Sequence, residues 1–257
     1  MTDSQFKFDR LKLYFGEPYY LGNGIEILQP SIGDIMKQGE GDFFSMLNVF
    51  ISNPTGYRVP LWDNGIDWTE ITDFQLFQQL VLAVPQSSSK VIFGDLDFTL
   101  FKVCSIQSED GESEEVVLYN QPQDVLIKEN DYLEMAQYLR TMVNIFPKVM
   151  KARGKFTKQS IIDEDKIKQK NDAKYGTKSD SILLPLISAC VNHPGFKYNV
   201  QELRDVGIYQ FMDSVSRIAV YEQARSLANG MYSGFADLSK IDKKLFDFMR
   251  DLTPQQK

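Results

Sequence analysis

The chain of 257 residues contains one histidine, two cysteines and two tryptophans. Cys104 and Cys190 lie far apart, so no disulfide framework is expected, and so few cysteines suit a reducing compartment. Cys190-x-x-His193 sets two metal-ligand types close together, but zinc needs three or four ligands and no second cluster follows. Cys190 therefore reads as a small buried hydrophobe near a helix end, and His193-Pro-Gly195 as a turn. A catalytic Cys–His pair is conceivable chemistry, but packing is the better account. No glycine loop of the P-loop or dinucleotide type occurs. The longest apolar runs, such as Ile182-Leu-Leu-Pro-Leu-Ile187, fall far short of the roughly 20 residues of a membrane span, and Met-Thr-Asp-Ser-Gln-Phe-Lys at the start has no apolar core of a secretion signal. Positive charge is outweighed: 28 Lys and Arg against 35 Asp and Glu give a net charge of -7, so nucleic acid is not expected as a partner unless a local basic patch overrides the balance.

What is present is ordinary globular material, 43% hydrophobic and 25% charged. Alternation at Leu11, Leu13 and Phe15, then Ile25 and Ile27, predicts two strands, with turns at Gly16-Glu-Pro and Gly22-Asn-Gly24. Ser31 should cap a short helix over 32–37 that stops near Gly39, and Asp42 the next, over 43–51, ended by Asn53-Pro54. Residues 53–70 hold both tryptophans and should fold down onto the core as an ordered loop. A helix is expected from Thr72 or Asp73 to Pro85. From Val91 to Lys128 the period changes, and three antiparallel strands are the economical reading, the first at Val91-Ile-Phe, with an acidic tip at 108–113. Tyr132, Met135, Leu139 and Met142 then mark a helix over 129–150. Residues 151–180 carry nine basic residues against five acidic ones and few apolar ones, which predicts a solvated arm or exposed helix. Helices at 181–191, 205–229 and 240–251 complete the chain, with Asn229-Gly230 as the stop of the long one. The expected fold class is α+β: a 1–150 domain with a small antiparallel sheet and short helices, a 151–180 basic connecting arm, and a mainly helical 181–257 domain.

The sharpest enzyme-like string is Val91-Ile-Phe-Gly-Asp95-Leu-Asp97-Phe-Thr99, which looks like the first motif of haloacid-dehalogenase-type phosphatases. In that family the first Asp is the nucleophile and the second the general acid, with a magnesium ion. Here Gly94 precedes the first carboxylate, Phe98 replaces a small residue, and Thr99-Leu-Phe-Lys-Val103 reads as a returning strand rather than the approach to a crossover helix. The chain also lacks the strand–helix alternation of a parallel sheet. A tight turn is the better reading of this string, and a metal-dependent phosphatase using Asp95 and Asp97 stays as an alternative. The stretch 199–205 before the long helix suggests a helix-turn-helix, but Arg217 and Arg225 are offset by Asp213 and Glu222, so helix packing accounts for it better.

The last third is rich in aromatic and Met side chains: Tyr209, Phe211, Met212, Tyr221, Met231, Tyr232, Phe235, Phe246, Phe248 and Met249. So short a segment cannot hide them all, and some should pack on the N-terminal part or on another chain. Tyr221, Tyr232, Phe235, Phe246 and Phe248 are the candidate contacts.

Several strings together resemble a known family: Tyr14-Phe-Gly-Glu-Pro18, Gln29-Pro-Ser-Ile-Gly-Asp34, Trp62-x-x-Gly-Ile-Asp-Trp68, Val91-Ile-Phe-Gly-Asp-Leu-Asp97, Leu184-Pro-Leu-Ile-Ser188, Ile208-Tyr-Gln-Phe-Met-Asp-Ser214 and Tyr232-Ser-Gly-Phe235. They are similar to proteins of tailed bacteriophages of Gram-positive hosts, encoded in the tail-morphogenesis region near the tape-measure protein and described as tail assembly chaperone-like. The resemblance implies a non-enzymatic assembly factor of the host cytoplasm, without cofactor, metal or membrane, that binds the tape-measure protein or another tail component; a homo-oligomer is compatible with it. It implies no catalytic residue. A virion structural subunit of the tail or connector is the neighbouring alternative.

Overall fold

A computed structural model describes residues 6–107, 114–176, 181–233 and 241–252. The acidic tip at 108–113 and the candidate contact Phe235 lie outside them.

The fold is α+β, with two small antiparallel sheets and a helical C-terminal part. The elements are α1 (Arg10–Tyr14), β1 (Tyr19–Gly22), β2 (Ile25–Ile27), α2 (Ile32–Gln38), α3 (Glu40–Ile51), α4 (Arg58–Asp63), α5 (Asp73–Val81), α6 (Gln86–Phe93), β3 (Lys102–Gln107), β4 (Glu114–Asn120), β5 (Val125–Ile127), α7 (Glu129–Val143), α8 (Lys155–Tyr175), α9 (Leu183–Val191) and α10 (Ile208–Ser233). β1 and β2 form a hairpin around Asn23 and Gly24, both at positive φ, and β3, β4 and β5 form a meander in that order.

Capping explains where several helices start. Ser31 and Asp34 form a reciprocal box at α2, and Thr72 and Gln75 another at α5. Gly39, at φ 94°, ends α2 and begins α3, a conformation that a side chain would resist. The α3 helix thus begins at Glu40, ahead of the expected Asp42 cap. The core is aromatic at its centre: the Phe50 ring lies 4.7 Å from Phe93 and 5.0 Å from Phe98, and Phe77 stacks on Tyr132 at 4.5 Å. α7 covers it with Tyr132, Met135, Tyr138, Leu139 and Met142, all buried.

Four expectations are corrected. Leu11, Leu13 and Phe15 do not form a strand. Asp9 accepts the N–H groups of Leu11 and Lys12 and starts the short helix α1, so only Leu13 of the three is buried. Val91-Ile-Phe is the end of α6, opened by Pro85; the third strand of the meander is β5. Residues 53–70 do fold onto the body, but through the short helix α4, with Trp68 buried and packed edge-on to Trp62. Finally, α10 runs through Asn229-Gly230 to Ser233. A glycine favours a stop only where the next turn gains nothing by continuing.

The basic stretch is a docked helix. One face of α8 carries Lys158, Gln159, Ile162, Asp165 and Lys166, a helical repeat. Asp165 pairs with Arg58 (Nη2 to Oδ1, 2.7 Å), Lys158 with Asp67 at 2.5 Å, Lys166 with Asp63 at 2.5 Å, and Trp62 donates to Gln159 at 3.0 Å. Ile162 is the one buried residue of the helix, in a small cluster with Leu61, Trp68 and Leu76.

Candidate functional site

α10 begins in the core. Ile208 and Phe211 are fully buried beside residues of the N-terminal part, and the Ile208 N–H donates to the Pro30 carbonyl at 2.9 Å while Ile32 N–H donates to Val206 at 3.0 Å. Glycines allow this seam: a Cβ on Gly33 would lie 2.8 Å from the Arg204 carbonyl oxygen. α9 packs alongside, its N-terminus closed by Glu40, whose carboxylate accepts the N–H groups of Ile182 and Leu183 at 2.5 and 2.6 Å.

Beyond Ile218 the helix leaves the core, and of its residues up to Tyr232 only Ala224 is buried. A terminal segment, 241–252, with a 3-10 turn at Lys243–Phe246, lies along it. Arg217 holds that segment, donating through Nη1 to the carbonyls of Phe248 at 3.1 Å and Arg250 at 2.8 Å. Arg250 donates to Gln223 at 3.1 Å, and Asp251 pairs with Arg10 of α1 at 2.7 Å.

Between α1, the end of α7, α10 and the terminal segment lies a groove of about 320 Å³. Leu11, Tyr14, Phe146, Met212 and Leu252 give it apolar walls, and Asp213 contributes a half-buried carboxylate. Burial pushes that carboxyl above the ordinary aspartate range, against the pull of the Arg217 guanidinium 3.8 Å away. Burial also raises the Tyr209 hydroxyl, and the charge of Asp213 adds to it.

The candidate contacts fall as follows. Tyr221 and Phe248 are exposed and meet edge-to-face at 5.7 Å. Tyr232, 83% exposed, stands on the last turn of α10; Phe246 is half-buried in the 3-10 turn. Three more exposed apolar side chains belong to the elements around the groove: Leu11 at 68%, Phe15 at 72% and Met249 at 75%. Sequence reading missed Leu11 and Phe15 because it placed them in a strand; the signal that finds them is Asp9 two residues before Leu11, a helix cap.

The enzyme-like residues form local turns. Asp97 accepts the Thr99 N–H at 2.9 Å and its hydroxyl at 2.7 Å, which opens a 3-10 turn. Asp95 lies 3.4 Å from Lys90, both exposed, after a helix rather than at the end of a parallel strand. Gly195 N–H donates to His193 Nδ1 at 3.0 Å, so the ring proton sits on Nε2, 3.2 Å from Glu222. Cys190 is buried, which pushes its thiol up. Among the described residues no three His, Cys, Asp or Glu side chains gather as a metal site, and no helix is long and apolar enough to cross a membrane.

No curated protein and no solved structure matches the chain. Residues 177–253, less than a third of the chain, match the family model of the YomV second domain, and YomV is phage-encoded. That match spans α9, α10 and the terminal segment, and it suggests a phage protein.

Proposed function

We propose that the chain is a non-enzymatic phage tail assembly factor that binds the tape-measure protein or another tail component in the host cytoplasm, with the outer face of α10, its terminal segment and α1 as the contact surface. The observation that carries this reading is the set of exposed apolar side chains on those elements: Tyr221, Tyr232, Phe248 and Met249, with Leu11 and Phe15 beside the groove. Side chains this large usually pack inside, and covering several of them on a partner recovers about 25 cal/mol per Å² of apolar area. A long helical tail protein that aggregates before its tube encloses it offers a matching apolar stripe. The match to a phage-encoded domain over α10 and the terminal segment supports the setting.

The test is co-expression with the tape-measure protein of the same phage. The chain should keep it in the supernatant and co-purify with it, and Tyr232→Ser with Phe248→Ser should weaken capture at least tenfold while the melting temperature holds. Equal solubility of the tape-measure protein with and without the chain would refute the proposal. Stoichiometric presence of the chain in purified particles would favour a virion subunit instead.

A further inference from the structure

Residues 145–153, between α7 and α8, are neither helix nor strand. One side of this segment is pinned to the loop after α3. Asn53 Nδ2 donates to the Lys148 carbonyl at 3.1 Å, and the Met150 N–H donates to Thr55 Oγ1 at 3.1 Å. Backbone groups two residues apart that face the same neighbour show the alternation of an extended chain. The N–H and C=O groups of Val149 and Lys151 then belong to the opposite edge, and among the described residues none of them has a hydrogen-bond partner.

Charge is segregated around this edge. Lys158 and Lys166 on the docked face of α8 are paired with aspartates. Lys148, Lys151, Arg153 and Lys155 are exposed, and among the described residues none has an ion-pair partner. Four free cations within eight residues stand out on a chain of net charge -7. Two exposed apolar side chains accompany this set: Val149 at 73%, and Phe156, in the first turn of α8, at 93%.

We propose that residues 148–153 form a docking strip for an acidic, extended polypeptide segment, which adds as a strand to the free edge at Val149 and Lys151. Carboxylates on one face of that segment meet Lys151 and Arg153, which share a face of the extended chain. A nucleic acid answers the charge but cannot supply the alternating amide donors and acceptors that Val149 and Lys151 leave open. The acidic remainder of the chain also repels a dense polyanion.

The experiment uses the full chain and three fluorescein-labelled probes: an octapeptide alternating Glu and Val, the same peptide with N-methylated valines, and an octathymidylate. Fluorescence anisotropy at about 50 mM salt should show saturable binding of the plain peptide, weakened severalfold at about 500 mM salt. N-methylation should weaken it at least tenfold. Lys151→Glu with Arg153→Glu should do the same, while Lys168→Glu with Lys170→Glu, on the outer side of α8, should leave it within twofold. No saturable binding of the plain peptide, equal affinity for the N-methylated one, equal losses in both double variants, or tighter binding of the octathymidylate would each overturn the proposal.

Discussion

Glu40 opens α3, yet its carboxylate closes the N-terminus of α9, some 140 residues later, by accepting two backbone N–H groups that have no partner within their own helix. Glu40→Ala should cost about 1–2 kcal/mol, within the range of lost helix caps, and α9 amides should exchange sooner than those of α7. Two glycines give a paired test. Gly33→Ala drives a methyl against backbone oxygen 2.8 Å away and should lower the urea midpoint by the equivalent of about 1–3 kcal/mol. Gly41→Ala, in α3 with open space around it, should raise it by up to about 1 kcal/mol. Asp213 sets a pH dependence. Its folded pKa is raised, so the folded state holds this proton more tightly than the unfolded one. The resulting stabilisation is complete below the ordinary aspartate pKa, and it is lost as pH rises through the folded value. Asp213→Asn should therefore gain stability relative to wild type between about pH 4 and pH 7, with a flat difference below about pH 4. Urea titrations across that range check the slope; a variant that loses ground toward pH 7 would show that Arg217 outweighs burial.

Among the elements, α8 is the one whose own sequence least demands a fixed place. It buries Ile162 alone and otherwise holds on through ion pairs, of which the exposed Lys166–Asp63 contributes little. Ile162→Ala should therefore act locally. Loss of about 2–4 kcal/mol of packing should release α8 to proteolysis between residues 151 and 175, with little change in the main melting transition; a drop in that transition without new cleavage would contradict a separately docked helix. The same contrast separates the elements that sequence predicts from those it hides. Ser31 and Thr72 announce α2 and α5 because a cap and its box partner lie within one turn, and Ile25 and Ile27 of β2, both buried, keep the alternation of a half-buried strand. α1 and α6 are hidden because Leu11-x-Leu13-x-Phe15 and Val91-Ile-Phe93 fit the strand period as well as the helix period over so few residues. Asp9 and Pro85, the helix starts, decide them. α10 runs on past Asn229-Gly230 to Ser233, a continuation that the local pattern does not announce. Of the candidate site, the aromatic side chains of the last third were legible as a group. The groove was not, since Leu11, Phe146 and Met212 meet only through the tertiary fold.

At the scale of the molecule, the question is whether the residues matching a phage-encoded domain stand as an independent unit. Composition alone draws a boundary at the basic stretch, but the packing crosses it. Leu183, Cys190, Leu203, Val206, Ile208 and Phe211 belong to the same buried cluster as Phe43, Phe77 and Leu139. The seam between them is stitched by Glu40 to α9 and by Pro30 to Ile208. Side chains shared in this way are lost together: removing Phe211 from its site would strip contacts from both parts, a cost of about 3–5 kcal/mol for a buried Phe truncated to Ala. Heating should then unfold the main body in a single transition, with calorimetric and van't Hoff enthalpies equal, as for one cooperative unit. Phe211→Ala should lower that single transition without splitting it. Two resolved transitions in the wild-type chain, the later one untouched by Phe211→Ala, would mean that the C-terminal part holds its own core and that the shared cluster contributes little to either.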